Sequence, residues 1–289
     1  MTNTLTSTFA DLGLSEKRCQ LLADIGFEAP TQIQTEAIPL LLSGRDMLAQ
    51  SQTGTGKTAA FALPLMDRID PEGDLQALIL TPTRELAQQV AEAMKDFSHE
   101  RRLFILNVYG GQSIERQIRS LERGVQIVVG TPGRVIDLID RKKLKLETIQ
   151  WVVLDEADEM LDFGFLPDIK WILGNVSGEH QMMLFSATMS KEISGIAQSY
   201  LTTPETIQVG ERNEPTKPVR QLSIQTPESG KITTVNYLMK ETDPRLSLIF
   251  CNTRHRVKTV TTKLNASGLV SACIHGDLSQ SQRNSIMRD

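Results

Sequence analysis

Residues 46–58 read Asp46-Met47-Leu48-Ala49-Gln50-Ser51-Gln52-Thr53-Gly54-Thr55-Gly56-Lys57-Thr58. The run Asp46–Ala49 is hydrophobic enough for a core strand. The stretch beyond it, Ala59–Met66, is the longest near-unbroken apolar segment of the chain and contains Pro64. Between the two, Gly54 and Gly56 let backbone N–H groups wrap an anion with no Cβ in the way. A helix starting near Gly56 turns its positive end to the same point. Strand, glycine loop and helix in this order read as a phosphate cradle, the alternative being a glycine-rich turn with an ordinary lysine.

The stretch resembles the Walker A pattern, with Ser51 where that pattern has its first glycine. In that reading Lys57 reaches the β and γ phosphates and the Thr58 hydroxyl ligates Mg2+. Further along, Trp151-Val152-Val153-Leu154 is an apolar strand that ends in Asp155-Glu156-Ala157-Asp158. Ligands of a parallel sheet bind beyond the carboxyl ends of its strands. Asp155 is thereby expected beside Thr58 in a Mg2+ sphere, with Glu156 as acceptor of a proton from an attacking water.

Outward from these two sites the chain alternates apolar runs with helical patterns. Strands are predicted at Asp46–Ala49, Ala77–Thr81, Leu103–Val108, Ile127–Gly130, Trp151–Asp155 and Met182–Ser186. Arg84–Asp96 carries Leu86, Val90 and Ala93 at helical spacing. This alternation predicts an α/β fold, a parallel sheet covered on both faces. The polar stretch 210–218, with Pro215 and Pro218, reads as an interdomain linker. After it the pattern restarts, with strands expected at Val219–Gln225, Leu246–Cys251 and Val270–His275. Helices are expected at Lys231 to about Lys240, Arg254–Asn265 and from Ser279.

Composition narrows the classes. The chain has 289 residues, 40% hydrophobic and 23% charged, close to the globular average, which excludes collagen-like and wholly disordered chains. No apolar run approaches the roughly 20 residues of a membrane span. Met1–Thr8 is polar without a basic region, so no secretory signal is expected. Cys19, Cys251 and Cys273 show no metal-ligand spacing and read as reduced thiols of a cytoplasmic protein. The net charge of −4 and pI near 5.7 exclude polyanion binding by bulk charge. Any nucleic-acid site must be local. The cluster Arg141, Lys142, Lys143 and Lys145 reads as a solvated loop face.

Asp155-Glu156-Ala157-Asp158 spells the signature of the DEAD-box ATP-dependent RNA helicases, and the rest of the chain resembles that family in order. Phe9, with Gly26-Phe27-Glu28-Ala29-Pro30-Thr31-Gln32-Ile33-Gln34, looks like the Q motif. Pro82-Thr83-Arg84-Glu85-Leu86-Ala87 resembles motif Ia, Gly110-Gly111 the family's GG element and Thr131-Pro132-Gly133-Arg134 motif Ib. Ser186-Ala187-Thr188 resembles motif III and Leu248–Arg254 motif IV. His275-Gly276-Asp277, with Gln280 and Arg283, resembles the next element of a second lobe.

The resemblance implies a RecA-like parallel sheet flanked by helices, followed by a partial second RecA-like lobe. Its divisions are 1–37 with the Q motif, 38–209 as the ATP-binding domain, 210–218 as linker and 219–289 as the partial C-terminal domain. It implies ATP and Mg2+ as cofactors, with Lys57, Asp155 and Glu156 catalytic. Phe9, Phe27, Gln34, Ser51, Gln52, Thr53, Gly54, Thr55, Gly56, Lys57 and Thr58 would bind the nucleotide. Gln34 would read adenine, since an amide offers a donor and an acceptor. Phe27 would pack on the base with Phe9 behind it; plain core packing is the alternative for both. Asp158, Ser186 and Thr188 would couple nucleotide to lobe closure, through hydrogen bonds to Asp158 or its neighbours when ATP is bound; capping of the following helix is the alternative for the Ser/Thr pair, and both roles can hold together.

RNA contacts are implied at Pro82, Thr83, Arg84, Gly110, Gly111, Gln112, Thr131, Gly133 and Arg134. In the second lobe they are implied at Thr253, Arg254, His275, Gly276 and Asp277. Amides, hydroxyls and a few arginines suit sequence-independent contact with phosphate and ribose of single strands or short duplexes. Motifs V and VI, the latter with its arginine finger, have no counterpart up to Asp289. The expectation is weak ATP and RNA binding with little hydrolysis or unwinding by these 289 residues, and a protease-sensitive, aggregation-prone segment 219–289. Two other classes remain: a non-catalytic RNA- or partner-binding module, and a different P-loop enzyme.

Overall fold

The computed structural model describes residues 7–98, 102–209 and 220–288. The linker expected at 210–218 lies outside them. The chain forms two compact units, Met1–Glu214 and Pro215–Asp289.

The first unit opens with α1 (Glu16–Asp24) and α2 (Gln32–Leu42), then β1 (Met47–Gln50) and α3 (Lys57–Arg68). There follow β2 (Ala77–Leu80), α4 (Arg84–Phe97), β3 (Ile105–Val108), α5 (Ile114–Glu122), β4 (Ile127–Gly130) and α6 (Pro132–Asp140). It closes with β5 (Trp151–Leu154), α7 (Ala157–Asp162), α8 (Leu166–Asn175), β6 (Gln181–Ser186), α9 (Lys191–Tyr200) and β7 (Glu205–Gln208).

The strands lie in the order β3-β4-β2-β5-β6-β1-β7, and every pair is parallel. From β1 to β3 the chain moves one way across the sheet; from β3 to β7 it moves back. Right-handed crossovers then put the helices of the two journeys on opposite faces. The core shows this division. Ile79, Val129, Val153, Met183 and Phe185 pack with α2, α3 and α4. Leu78, Leu80, Val128, Val152 and Leu184, their neighbours in sequence, pack with α6, α8 and α9. Alternate residues of a strand point to opposite faces, so continuous apolar runs are what a sheet covered on both sides requires.

All six strands expected before residue 209 are present, within two residues at each end. β7 was not expected: of its four residues only Ile207 is buried, too little apolar signal to mark a strand.

The second unit corrects the expectation. Its described residues hold a 3-10 turn at Glu228–Gly230 and three helices, α10 (Lys231–Thr242), α11 (Arg254–Ala266) and α12 (Gln280–Arg288). Leu246–Cys251, Val270–His275 and the described part of 219–225 form no strand. A strand exists only where a neighbour accepts its ladder hydrogen bonds, and these segments pair with none. Leu246, Leu248, Phe250 and Val270 stand exposed, Phe250 at 90%. No described helix is long and apolar enough to cross a membrane.

Candidate functional site

The strand order brings the sequence-predicted residues into two groups on one edge of the sheet. β5, β6 and β1 are neighbours, and beyond their carboxyl ends lie Asp155–Asp158, Ser186–Thr188 and Ser51–Thr58. β2, β4 and β3 are the next neighbours. Beyond them lie Pro82–Arg84, Thr131–Arg134 and Gly110–Gln112.

In the first group the loop 51–56 leaves β1 and turns into α3. Ser51 is buried, and its N–H donates to the Ser186 carbonyl (3.0 Å), joining the loop's root to β6. The Thr55 hydroxyl donates to the Gln52 carbonyl at 2.9 Å. Gln52, Thr53 and Gly54 stay exposed. Gly56 caps α3 in the left-handed region at φ +93°, and a Cβ there would sit 2.5 Å from Gln34 Nε2. Lys57 is buried, its Nζ 3.4 Å from the Ser51 carbonyl. Thr58, half-buried, stands beside it in the first turn.

Asp155 is buried, and its Oδ1 has no hydrogen-bond partner. Burial pushes its carboxyl up to about 6, against the opposing pull of the Lys57 ammonium; Glu156 and Asp158 add to the rise. A buried carboxylate oxygen without a donor is costly, and it is the kind of atom a divalent cation satisfies. Among the described residues no group of three or more His, Cys, Asp or Glu side chains could hold a metal. Thr58 and Asp155 would make a two-ligand set, which would suit Mg2+: that ion keeps several waters and takes phosphate oxygens. The donors fit.

Glu156 adopts φ +52°, left-handed and strained for a residue with a side chain. Its Oε1 lies 3.5 Å from the Thr53 hydroxyl of the phosphate loop. Asp158 Oδ2 accepts from Ala187 N (3.1 Å), Thr188 N (2.9 Å) and Thr188 Oγ1 (3.1 Å). The Ser186 hydroxyl, fully buried, donates to the Thr188 carbonyl at 2.6 Å. Asp158 thus holds the Ala187–Thr188 segment by three hydrogen bonds. Capping of α9 falls to Ser190 instead.

Gln34 and Phe9 are buried, and Phe27 is half-buried. Gln34 is buried: Oε1 accepts from Thr31 N (2.9 Å) and Nε2 donates to the Gly56 carbonyl (3.1 Å). Gln34 therefore anchors the start of α3. Phe9 is buried in the core, edge-on to Phe27 at 6.4 Å between ring centroids. Phe27 meets Phe97 the same way at 5.6 Å. The core-packing alternative describes both rings. The half-buried Phe27 also borders an apolar cleft of about 270 Å³ with Ile25, Ala93, Asp96 and Phe97.

In the second group Thr83 caps α4, accepting from Leu86 N at 3.1 Å. Pro82 is buried. The Arg84 guanidinium lies against Gly110 and Gly111; Gly111 has φ +85°, and a Cβ there would collide with it. Thr131 donates its N–H to the Val108 carbonyl (3.0 Å), and Gly133 is exposed at the start of α6. Arg134 turns inward, with a side chain only 15% exposed. Its Nη1 donates to the Gln112 carbonyl (3.2 Å) and to Gln117 Oε1 (3.0 Å). Arg141 pairs with Asp137 and Lys143 with Glu122, which suits the solvated-face reading of that cluster.

In the second unit Thr253 caps α11, accepting from Arg256 N at 3.2 Å. Arg254 pairs with Asp277, and His275, buried, faces the Asp277 N–H through Nδ1 at 3.3 Å. Gly276 is exposed beside them. These residues form a local cluster of their own.

Two polar residues that sequence reading passed over take part. Gln50 donates from Nε2 to the Ala187 carbonyl (3.2 Å), a second tie between β1 and the loop after β6. Gln117 links Arg134 to the Tyr109 carbonyl, its Nε2 3.0 Å away. A lone amide on the apolar face of α5 was the only available signal for the latter.

Comparison with known proteins agrees with this geometry. Residues 31–196 match the family model for the DEAD/DEAH box helicase, and residues 230–289 the model for the helicase conserved C-terminal domain. An RNA helicase, CrhR, of Synechocystis is 69% identical over 288 residues, covering 99% of this chain and 58% of the relative. The DEAD-box ATP-dependent RNA helicase CshA of Bacillus licheniformis is 44% identical over 98% of this chain and 58% of its own length. The chain thus spans somewhat more than half the length of these curated relatives. The crystal structure of a DEAD box protein from Methanococcus jannaschii is similar, with a TM-score of 0.69 and 38% identity over 97% of this chain and 76% of that one.

Proposed function

The chain belongs to the DEAD/DEAH box helicase family, and from that premise we propose that it binds ATP and single-stranded RNA on one sheet edge and uses ATP hydrolysis to separate short duplexes. The observation that carries this reading is the adjacency of β5, β6 and β1, with Asp155 and its unbonded oxygen at their shared end. A pure binding scaffold has no need of a buried, destabilising carboxylate beside a buried lysine.

Lys57 and the loop amides hold the β and γ phosphates. Thr58 and Asp155 would hold Mg2+, which would supply neutralisation of charge on the transferred phosphoryl group. Glu156 takes the proton of the attacking water, giving ADP and phosphate. Gln34 has one amide hydrogen and one lone pair left after its internal bonds, enough to select adenine. Asp158 reports the state of the site to Ser186–Thr188. Thr83, Arg84, Gly110–Gln112, Thr131 and Gly133 meet phosphate and ribose, without reading bases. Thr253, Arg254 and His275–Asp277 supply RNA contacts from the second unit. Free cysteines at positions 19, 251 and 273 suit a reducing cytoplasm.

We further propose slow turnover by the 289-residue polypeptide; support comes from the unpaired apolar segments of its second unit. The test compares wild type with Glu156→Gln. ATP binding should persist in both, and the RNA-dependent part of hydrolysis should fall by about 10² or more in the variant. Equal hydrolysis by the two would remove Glu156 from the mechanism. Fast RNA-stimulated turnover by wild type would refute the second proposal alone.

A further inference from the structure

α5 buries an amide more deeply than any of its aliphatic residues. Gln117 is 3% exposed, whereas Ile114, Ile118 and Leu121 on the same helical face are only partly buried. Burying an amide costs free energy unless both its ends are bonded, and here both are. Oε1 accepts from Arg134 Nη1 and Nε2 donates to the Tyr109 carbonyl, each at 3.0 Å. Tyr109 opens the segment after β3; Arg134 lies in the first turn of α6, after β4. Arg134 also reaches the Gln112 carbonyl, and Gln112 Nε2 donates to the Tyr109 hydroxyl at 2.9 Å. Asp137 competes weakly for Arg134, at 3.8 Å, because it is drawn to Arg141 at 2.7 Å. Gln117 is thus a shared partner of two segments that also meet through Arg134 and Gln112, the Thr131 N–H on the Val108 carbonyl and the β3–β4 ladder.

We propose that Gln117 is a positioning residue for the RNA surface: acting through Arg134 and the Tyr109 carbonyl, it fixes the spacing between the Gly110–Gln112 and Thr131–Gly133 segments. The inference rests on the proposed RNA role of that face. A strand of RNA presents phosphates at fixed intervals, so two donor segments contribute together only when their separation is held. The carboxyl ends of β5, β6 and β1 are not touched by this brace, which separates its effect from a general loss of folding.

The test measures the affinity of the 289-residue protein for a labelled oligouridylate by fluorescence anisotropy, alongside a fluorescent ADP analogue. Gln117→Met, similar in shape and without hydrogen-bonding ends, should weaken RNA binding about tenfold and change ADP-analogue affinity less than about twofold. Gln117→Glu keeps an acceptor for Arg134 but turns a carboxylate oxygen toward the Tyr109 carbonyl in place of the amide donor, and should recover only part of the loss. In the Arg134→Ala background, Gln117→Met should cost little more, because the two act as one unit. Full additivity, equal loss of RNA and nucleotide affinity, or an unchanged RNA affinity in Gln117→Met would overturn the proposal. Arg84→Ala separates the two levels. If it weakens RNA binding while Gln117→Met does not, only the brace fails; if neither has an effect, the RNA reading of the face falls and the brace with it.

Discussion

Asp155 is buried against its electrostatic interest. Its folded carboxyl titrates near 6 against an ordinary value of 3.8, because burial disfavours the charge more than Lys57 favours it. Between those values the folded metal-free protein keeps a proton that the unfolded chain has lost. Its stability therefore falls as pH rises from about 4 to about 6 and stays lowered above. Asp155→Asn should remove this dependence and raise stability at pH 7 by up to about 3 kcal/mol, while nucleotide hydrolysis is lost. Urea unfolding across that window, without divalent ions, checks it; a variant less stable at pH 7 would contradict it. Gly56→Ala meets two obstacles, a φ of +93° and the Gln34 amide, and should cost about 1–3 kcal/mol. Gly133→Ala, with open space around it, should cost nothing in the same urea unfolding. The residue types of this site were legible because glycine pairs, Lys57 and paired acids announce their chemistry. The inward turns of Gln34 and Arg134 were not. A motif names a residue without saying which of its neighbours in space claims its polar atoms first.

At the scale of elements, the six apolar runs were readable as strands because a sheet covered on both faces leaves no polar alternation to confuse them. Their order was not. Periodicity says that β1 and β5 are buried, not that β6 lies between them. That order makes Asp158 the keeper of the loop after β6. Asp158→Ala removes the acceptor of both the Ala187 and the Thr188 N–H. Exchange of those two amides should accelerate about 10- to 100-fold, the worth of one or two such bonds, with little change at the amides of β4. Unchanged exchange would mean that the loop holds itself. β7 escaped reading because Ile207 is its one buried residue. Leu246–Cys251 and Val270–His275 were read as strands on apolar pattern alone, and pattern supplies no neighbour to pair with.

The whole molecule is two units of unequal internal support. The first has a seven-stranded sheet and two apolar layers; the described part of the second has helices joined by exposed apolar segments. Limited proteolysis should cut within 244–251 and 269–275 well before the interior of 7–209, since cleavage follows local opening. Equal resistance would show that those segments are covered. The net charge of −4 fits the proposed anion sites, which would be built from placed amides, hydroxyls and a few arginines rather than from a basic face.

The central claim is that the shared end of β1, β5 and β6 binds an adenine nucleotide through Lys57. Calorimetric titration of the 289-residue protein with MgATP tests it most directly. Saturable binding by wild type and Arg84→Ala, with at least a tenfold loss in Lys57→Ala, is the predicted result. Equal affinity in Lys57→Ala, or no binding by the wild type, would contradict it.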